Sequence, residues 1–202
     1  MKRAQELHWF KLPTQGLDRG RFPFVTWFAD GTTNLSFNCL DRQVALGRGD
    51  KVAILFEGEP GDQQQLTYQM LADKVARFAS VLVSLGVGAG DRVAIYMGMV
   101  PEAVIAMQAC ARIGAIHTVI FGGFAADAVR DRVNDAGAKV IVTQDGAWRR
   151  GGVVPLKANV DQAVAQCPTV EKVITYRRIG EPLCTVEVGP KDLDWDEQFS
   201  KV

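Results

Sequence analysis

The sequence predicts an α/β fold, a mostly parallel sheet with alternating helices preceded by an irregular N-terminal segment. Three observations carry this reading. From Lys51 onward, short apolar runs alternate with stretches of helical periodicity, the signature of βαβ units. The helical stretches end on Gly86, Gly114 and Gly137, where a helix needs a left-handed residue to close. A content of 48% hydrophobic residues in 202 supplies a core and excludes wholesale disorder.

Residues 1–50 are punctuated by Pro13, Gly16, Gly20 and Pro23 and carry a cluster of aromatics from Trp9 to Phe28. Such a segment cannot bury itself and is expected to wrap over a body formed later. That body is assigned to residues 51–178. Val52 to Phe56 is a short apolar run bounded by Gly58 and Pro60-Gly61, which suggests a buried strand. Thr67 then caps a helix whose Leu71, Val75, Phe78, Leu82 and Leu85 recur at steps of three and four. Arg92 to Met97 is a strand, and Pro101 opens a helix at its first turn. Ala115 to Phe121 is a strand, Ala125 to Ala136 a helix, and Lys139 to Thr143 another strand. A loop over 145–152, a helix over 155–166 and a strand over 172–176 complete the alternation. Residues 179–202 read as a chain leaving the domain.

Composition removes several function classes. With 23 basic and 23 acidic residues, no global charge favours nucleic acid or an anionic membrane surface. The apolar stretch from Ala103 to Ala111 is too short to span a bilayer, and the N-terminus lacks the apolar region of a signal peptide. Cys39, Cys110, Cys167 and Cys184 form no C-x-x-C pair, and neither His8 nor His117 stands at metal-motif spacing from a cysteine. No metal site is expected, and reduced thiols in a cytoplasmic protein are.

Gly86-Val87-Gly88-Ala89-Gly90 imitates a nucleotide-binding loop. It follows a helix and precedes a strand, the reverse of what a pyrophosphate site requires, so it reads as a helix cap and turn. Two other loops follow strands and lead into helices, where ligands of α/β sheets bind. In Phe121-Gly122-Gly123-Phe124 the paired glycines admit a ligand to the backbone, and free N–H groups at a helix start suit an anion; these residues alone favour the plainer reading, a tight turn with core phenylalanines. In the second loop Trp148, Arg149, Arg150, Gly151 and Gly152 combine bidentate donors with a stacking face; a solvated arginine pair with an apolar anchor fits equally. One ligand spanning neighbouring strand ends would use both. His117, inside an apolar run, reads as a core histidine, and no residue stands out as a catalyst.

The run Asn34-Leu35-Ser36-Phe37-Asn38-Cys39-Leu40-Asp41-Arg42 resembles the N-terminal part of AMP-forming acetyl-CoA synthetases, within the adenylate-forming acyl-CoA ligase superfamily. Collinear matches follow at Leu66-Thr67-Tyr68, Gly90 to Met97, Val100 to Ala103, Ala109 to Ala115, His117 to Phe124 and Pro155-Leu156-Lys157. The resemblance covers Trp27 to about Arg178, and propionyl-CoA synthetases are close alternatives. Gly98 stands where the family usually has proline. Gly152 stands where it often has a second basic residue, for which Arg150 is the nearest substitute.

The resemblance implies a fold, the N-terminal subdomain of an adenylate-forming ligase, and a two-step reaction. Acetate and ATP give acetyl-adenylate and pyrophosphate, with Mg²⁺ assisting; the CoA thiol then displaces AMP. It implies that Phe121, Gly122 and Gly123, with Arg149, Arg150, Gly151 and Gly152, contact the nucleotide end of CoA. The family's phosphate loop, adenine and Mg²⁺ motifs and catalytic lysine have no match in these residues, so no catalytic residue is assigned and the isolated chain is not expected to adenylate acetate. The implied partners are small molecules and the remainder of the ligase, with no nucleic acid and no membrane. A non-catalytic CoA- or nucleotide-binding module and an inert remnant are the competing readings.

Overall fold

The computed structural model describes residues 2–202 and is built around a five-stranded parallel sheet. In chain order the elements are β1 (Leu17–Arg21), β2 (Phe24–Trp27), β3 (Val52–Glu57), β4 (Gln63–Thr67), α1 (Tyr68–Ser84), β5 (Arg92–Met97), α2 (Pro101–Ile113), β6 (Ile116–Phe121) and α3 (Ala126–Ala136). They continue with β7 (Val140–Gln144), β8 (Ala147–Arg149), β9 (Gly152–Val154), α4 (Leu156–Val164), β10 (Lys172–Tyr176), β11 (Asp192–Asp194) and α5 (Trp195–Ser200). The sheet runs β11-β10-β7-β5-β6, while β1–β2, β3–β4 and β8–β9 are separate antiparallel pairs.

Strand alternation divides the core into two layers. Val93 and Ile95 face α1, α2 and α5, meeting Val75, Phe78 and Leu82, with Trp195 stacked 4.1 Å from Phe78. Ala94 and Tyr96 point the other way, into a layer with Val129, Val133, Leu156 and Val160 of α3 and α4. The helix signals act as expected. The Thr67 side chain accepts the Met70 N–H at 3.2 Å, Pro101 occupies the first turn of α2, and Gly114 and Gly137 close α2 and α3 at φ 75° and 59°.

Three segments depart from the sequence reading. Val52–Glu57 is not a buried strand of the sheet; it pairs with the polar Gln63–Thr67 in a ribbon whose Leu55 is 78% exposed. A run of five apolar residues does not distinguish a core strand from a half-buried ribbon. The stretch over 145–152 is not a plain loop, because β8 and β9 form a hairpin. The tail does not leave the body: β11 extends the sheet, and the Asp194 carboxylate caps α5 through the N–H groups of Asp196 and Glu197.

The N-terminal segment is tied down by polar groups more than by its aromatics. Asn34 Nδ2 donates to the carbonyl oxygens of Ala111 (2.8 Å) and Arg112 (3.2 Å) at the end of α2, and Arg112 grips Asp41 bidentately at 2.8 and 2.6 Å. Phe22, Phe24 and Trp27 of the first hairpin stay exposed. The Asn34–Arg42 run is therefore an anchor, and its fixed spacing follows from capping one helix end.

Candidate functional site

The order of the sheet creates a crevice at one place. β5 leads through α2 to β6 on one side, and β7 leads through α4 to β10 on the other. The loops leaving the carboxyl ends of β5 and β7 thus diverge, which is where open α/β sheets bind ligands. A cavity of about 390 Å³ lies there. Its walls come from Met97 to Val100 after β5, Val119 to Gly123 at the end of β6, and Gln144 and Ala147 to Arg149 after β7. Val154, Arg178 and the Phe56–Glu59 tip of the β3–β4 ribbon close it.

The two loops reach the same cavity. The Phe124 N–H donates to the Phe121 carbonyl at 3.0 Å, closing a turn with Gly122 and Gly123 at its centre. The turn is fixed from below, since the buried Tyr96 hydroxyl donates to the Phe124 carbonyl at 2.6 Å and accepts from Asn159 at 3.1 Å. Both glycines are required by close approach. A Cβ on Gly122 would stand 3.0 Å from the Met97 carbonyl oxygen, and one on Gly123 would stand 2.0 Å from Arg149 Nη1. The phenylalanines are not core: Phe121 is 57% exposed, and its ring forms cavity wall.

Arg149 meets this loop from the β8–β9 hairpin. Its guanidinium lies 5.0 Å from the Phe121 ring centroid, a cation–π contact, and among the described residues it pairs with no carboxylate. A planar cation against Gly123 and an aromatic face suits a phosphate attached to a flat base. Arg150 and Gly151 form the tip of the hairpin at φ 52° and 76°. Their amides both donate to the Glu59 carboxylate, Arg150 at 3.1 Å.

A buried scaffold supports these loops. The Asp145 carboxylate accepts the N–H groups of Gly146 (2.7 Å), Arg178 (2.8 Å), Ile179 (3.0 and 3.1 Å) and Gly180 (2.7 Å), so one side chain ties the ends of β7 and β10 together. Gln144, fully buried, accepts from the Gly98 N–H at 3.0 Å and donates to the Gly146 carbonyl at 2.6 Å. A proline at position 98 would have no proton for that contact. Burial, and next the Glu102 charge, push the Tyr176 hydroxyl up to about 12, and burial raises the Glu102 carboxyl. Both groups stay protonated more readily than in water.

Of the residues singled out from sequence, Phe121, Gly122, Gly123 and Arg149 line the cavity, as does Trp148. Arg150, Gly151 and Gly152 stand outside its lining and build the hairpin turn. The start of α3 does not line it either. His117 is half-buried on β6, and burial lowers its pKa. Sequence reasoning missed Arg178, which the strand-end rule would have found because it follows β10. It also missed Glu59, whose ribbon reaches the site only in three dimensions. Among the described residues no three His, Cys, Asp or Glu side chains converge as metal ligands. No helix among them is long and apolar enough to cross a membrane.

Comparison with known proteins adds a family. Residues 40–198 match the family model described as AMP-binding enzyme, and residues 1–39 match that of the acetyl-coenzyme A synthetase N-terminus. The chain is 50% identical over 200 residues to an acetyl-coenzyme A synthetase of Streptomyces avermitilis, covering 99% of this chain and 30% of that protein. It is 51% identical over 197 residues to one from Rubrobacter xylanophilus, covering 97% and 30%. Among solved structures, acetoacetyl-CoA synthetase from Streptomyces lividans superposes with a TM-score of 0.85 at 29% identity, over 96% of this chain and 29% of that one. The chain spans about 30% of the length of the curated relatives it matches.

Proposed function

The chain belongs to the AMP-binding enzyme family, and from that premise we propose that it is the N-terminal, coenzyme-A-nucleotide-binding part of a cytoplasmic acetate–CoA ligase. The ligase joins acetate and ATP into acetyl-adenylate and pyrophosphate; the CoA thiol then displaces AMP. The observation that carries the reading is Arg149, a guanidinium with no carboxylate partner among the described residues, set against Gly123 and the Phe121 ring in one cavity at the crevice of the sheet. Arg149 supplies charge for a phosphate of CoA, Phe121 and Trp148 supply flat apolar wall for the adenine, and the glycines let both approach the backbone. Arg150 and Gly152 contribute through the hairpin that carries Arg149.

The ligase's phosphate loop and catalytic lysine have no match in these residues, so the chain is expected to bind CoA without adenylating acetate. Two measurements test this on the 202-residue protein. Calorimetric titration should give one site for CoA and weaker binding for a CoA lacking its 3′-phosphate; equal affinities would move the phosphate contact elsewhere. Acetate-dependent pyrophosphate release should be absent, and detecting it would overturn the assignment of the chemistry to other residues.

A further inference from the structure

Glu59 belongs to neither strand-end loop, yet its carboxylate is what the hairpin tip touches. The amides of Arg150 and Gly151 converge on it because both residues have positive φ, 52° and 76°. Successive N–H groups in such a turn form a small anion-binding concavity. Positive φ is costly for a residue with a side chain such as Arg150, and two charge-assisted hydrogen bonds offset that cost. Three residues along the same ribbon, Asp62 accepts from Arg178 Nη2 at 2.6 Å, and the Arg178 guanidinium lies 5.6 Å from the Phe56 ring centroid. The backbone is drawn in tightly there: a Cβ on Gly58 would stand 2.1 Å from Asp62 Oδ1 and 2.5 Å from Arg178 Nη2. The tip of the β3–β4 ribbon is thus fastened on one side to the hairpin after β7 and on the other to the residue after β10. Asp145, which binds the amides of Gly146 and Arg178, joins those two places from beneath.

We infer that Glu59 and Asp62 are positioning residues that strap the β3–β4 ribbon across the cavity and, through the Arg150–Gly151 turn, aim Arg149 at the ligand's phosphate. The part concerning the ligand rests on the coenzyme A reading above. Glu59 could instead act as an internal anion that a phosphate must displace, and the two roles have opposite signs. The geometry favours positioning. Glu59 bonds the backbone of the turn and neither guanidinium, which leaves Arg149 free toward Gly123.

The test is a double-mutant cycle with a readout that needs no ligand. CoA is titrated into the wild type, Glu59→Ala, Arg149→Ala and the double variant, and amide hydrogen exchange is followed at Arg150 and Gly151. Glu59→Ala should weaken CoA roughly tenfold in the wild-type background, the size of one misplaced charge-assisted contact. It should have almost no effect once Arg149 is gone, because the two act as one unit. Exchange at Arg150 and Gly151 should quicken while the amides of β5 and β7 stay protected. An equal loss in both backgrounds, tighter binding in Glu59→Ala, or unchanged exchange at the turn would each overturn the inference. Asp62→Asn, which keeps the shape, should give a smaller loss of CoA affinity in the same direction; no loss would remove Asp62 from the strap. If the wild type binds no CoA, the coenzyme A reading fails on its own, and the exchange data alone decide whether Glu59 fastens the turn.

Discussion

At the amino end of the sheet, Arg92 donates to the carbonyl oxygens of Gly90, Ala136 and Gly137 at 3.0–3.2 Å, and Lys139 reaches the Gly86 carbonyl at 2.8 Å. At the carboxyl end, Arg149 finds an aromatic ring and Gly123 instead. Both ends are rich in glycine turns and cations, but at the amino end the cations are committed to helix C-termini, whose carbonyls attract them. A glycine loop becomes a candidate anion site only where a neighbouring cation is left without an internal acceptor. Parallel strand direction decides which end that is, since helix N-termini and diverging loops gather at the carboxyl end.

The contrast breaks most sharply on the two arginines. Arg149→Ala should lower CoA affinity by about 10- to 150-fold, the loss of roughly 1.5–3 kcal/mol in one charge-assisted contact, with unfolding by urea unchanged. Arg92→Ala should do the reverse: CoA binding intact, and stability lower by roughly 1.5–3 kcal/mol as the carbonyls at the end of α3 lose their donor. If Arg92→Ala weakened CoA as much as Arg149→Ala, the two ends would not be functionally distinct.

The glycines sharpen the same comparison at smaller scale. Gly86, at φ 77°, only closes α1, so Gly86→Ala should cost about 1 kcal/mol of stability and leave binding alone. Gly122→Ala brings a methyl to 3.0 Å from the Met97 carbonyl oxygen and must shift the loop, so CoA affinity should drop several-fold, about 1 kcal/mol, by titration. An effect of similar size concerns the thiol of Cys110, near the end of α2 that faces the amino side, which burial pushes up to about 12. Its folded value lies above the unfolded one, so the native state holds the proton more tightly. Stability should therefore fall as pH rises above about 9, by at most about 1.4 kcal/mol per unit. Cys110→Ala should flatten that slope in urea titrations at pH 8 and 10.

Much of this was legible in the residues. Glycine closures at Gly86, Gly114 and Gly137 and the Thr67 cap are local signals, and local physics sets them. The rule that ligands meet the carboxyl ends of strands selected Phe121–Gly123 and Arg149 and rejected Gly86–Gly90. What was not legible depends on contacts between distant segments. The ribbon tip lies about 90 residues before the turn it meets, Glu59 against Arg150, and no periodicity links the two. The addition of β11 to the sheet was hidden for a similar reason. The buried Lys157, bonded to Asp161 and Asp192, holds that strand from the next layer, and the strand's own residues, Asp192–Asp194, include a single apolar side chain, Leu193.

Where CoA touches the chain decides between the two ends of the sheet most directly. Mapping amide chemical-shift changes in the ¹⁵N-labelled protein on addition of CoA tests it in one experiment. The largest changes should fall at Phe121–Gly123 and over 148–152, with Gly86 to Gly90 unmoved. Changes centred on Gly86 to Gly90, or spread evenly over the surface, would contradict it.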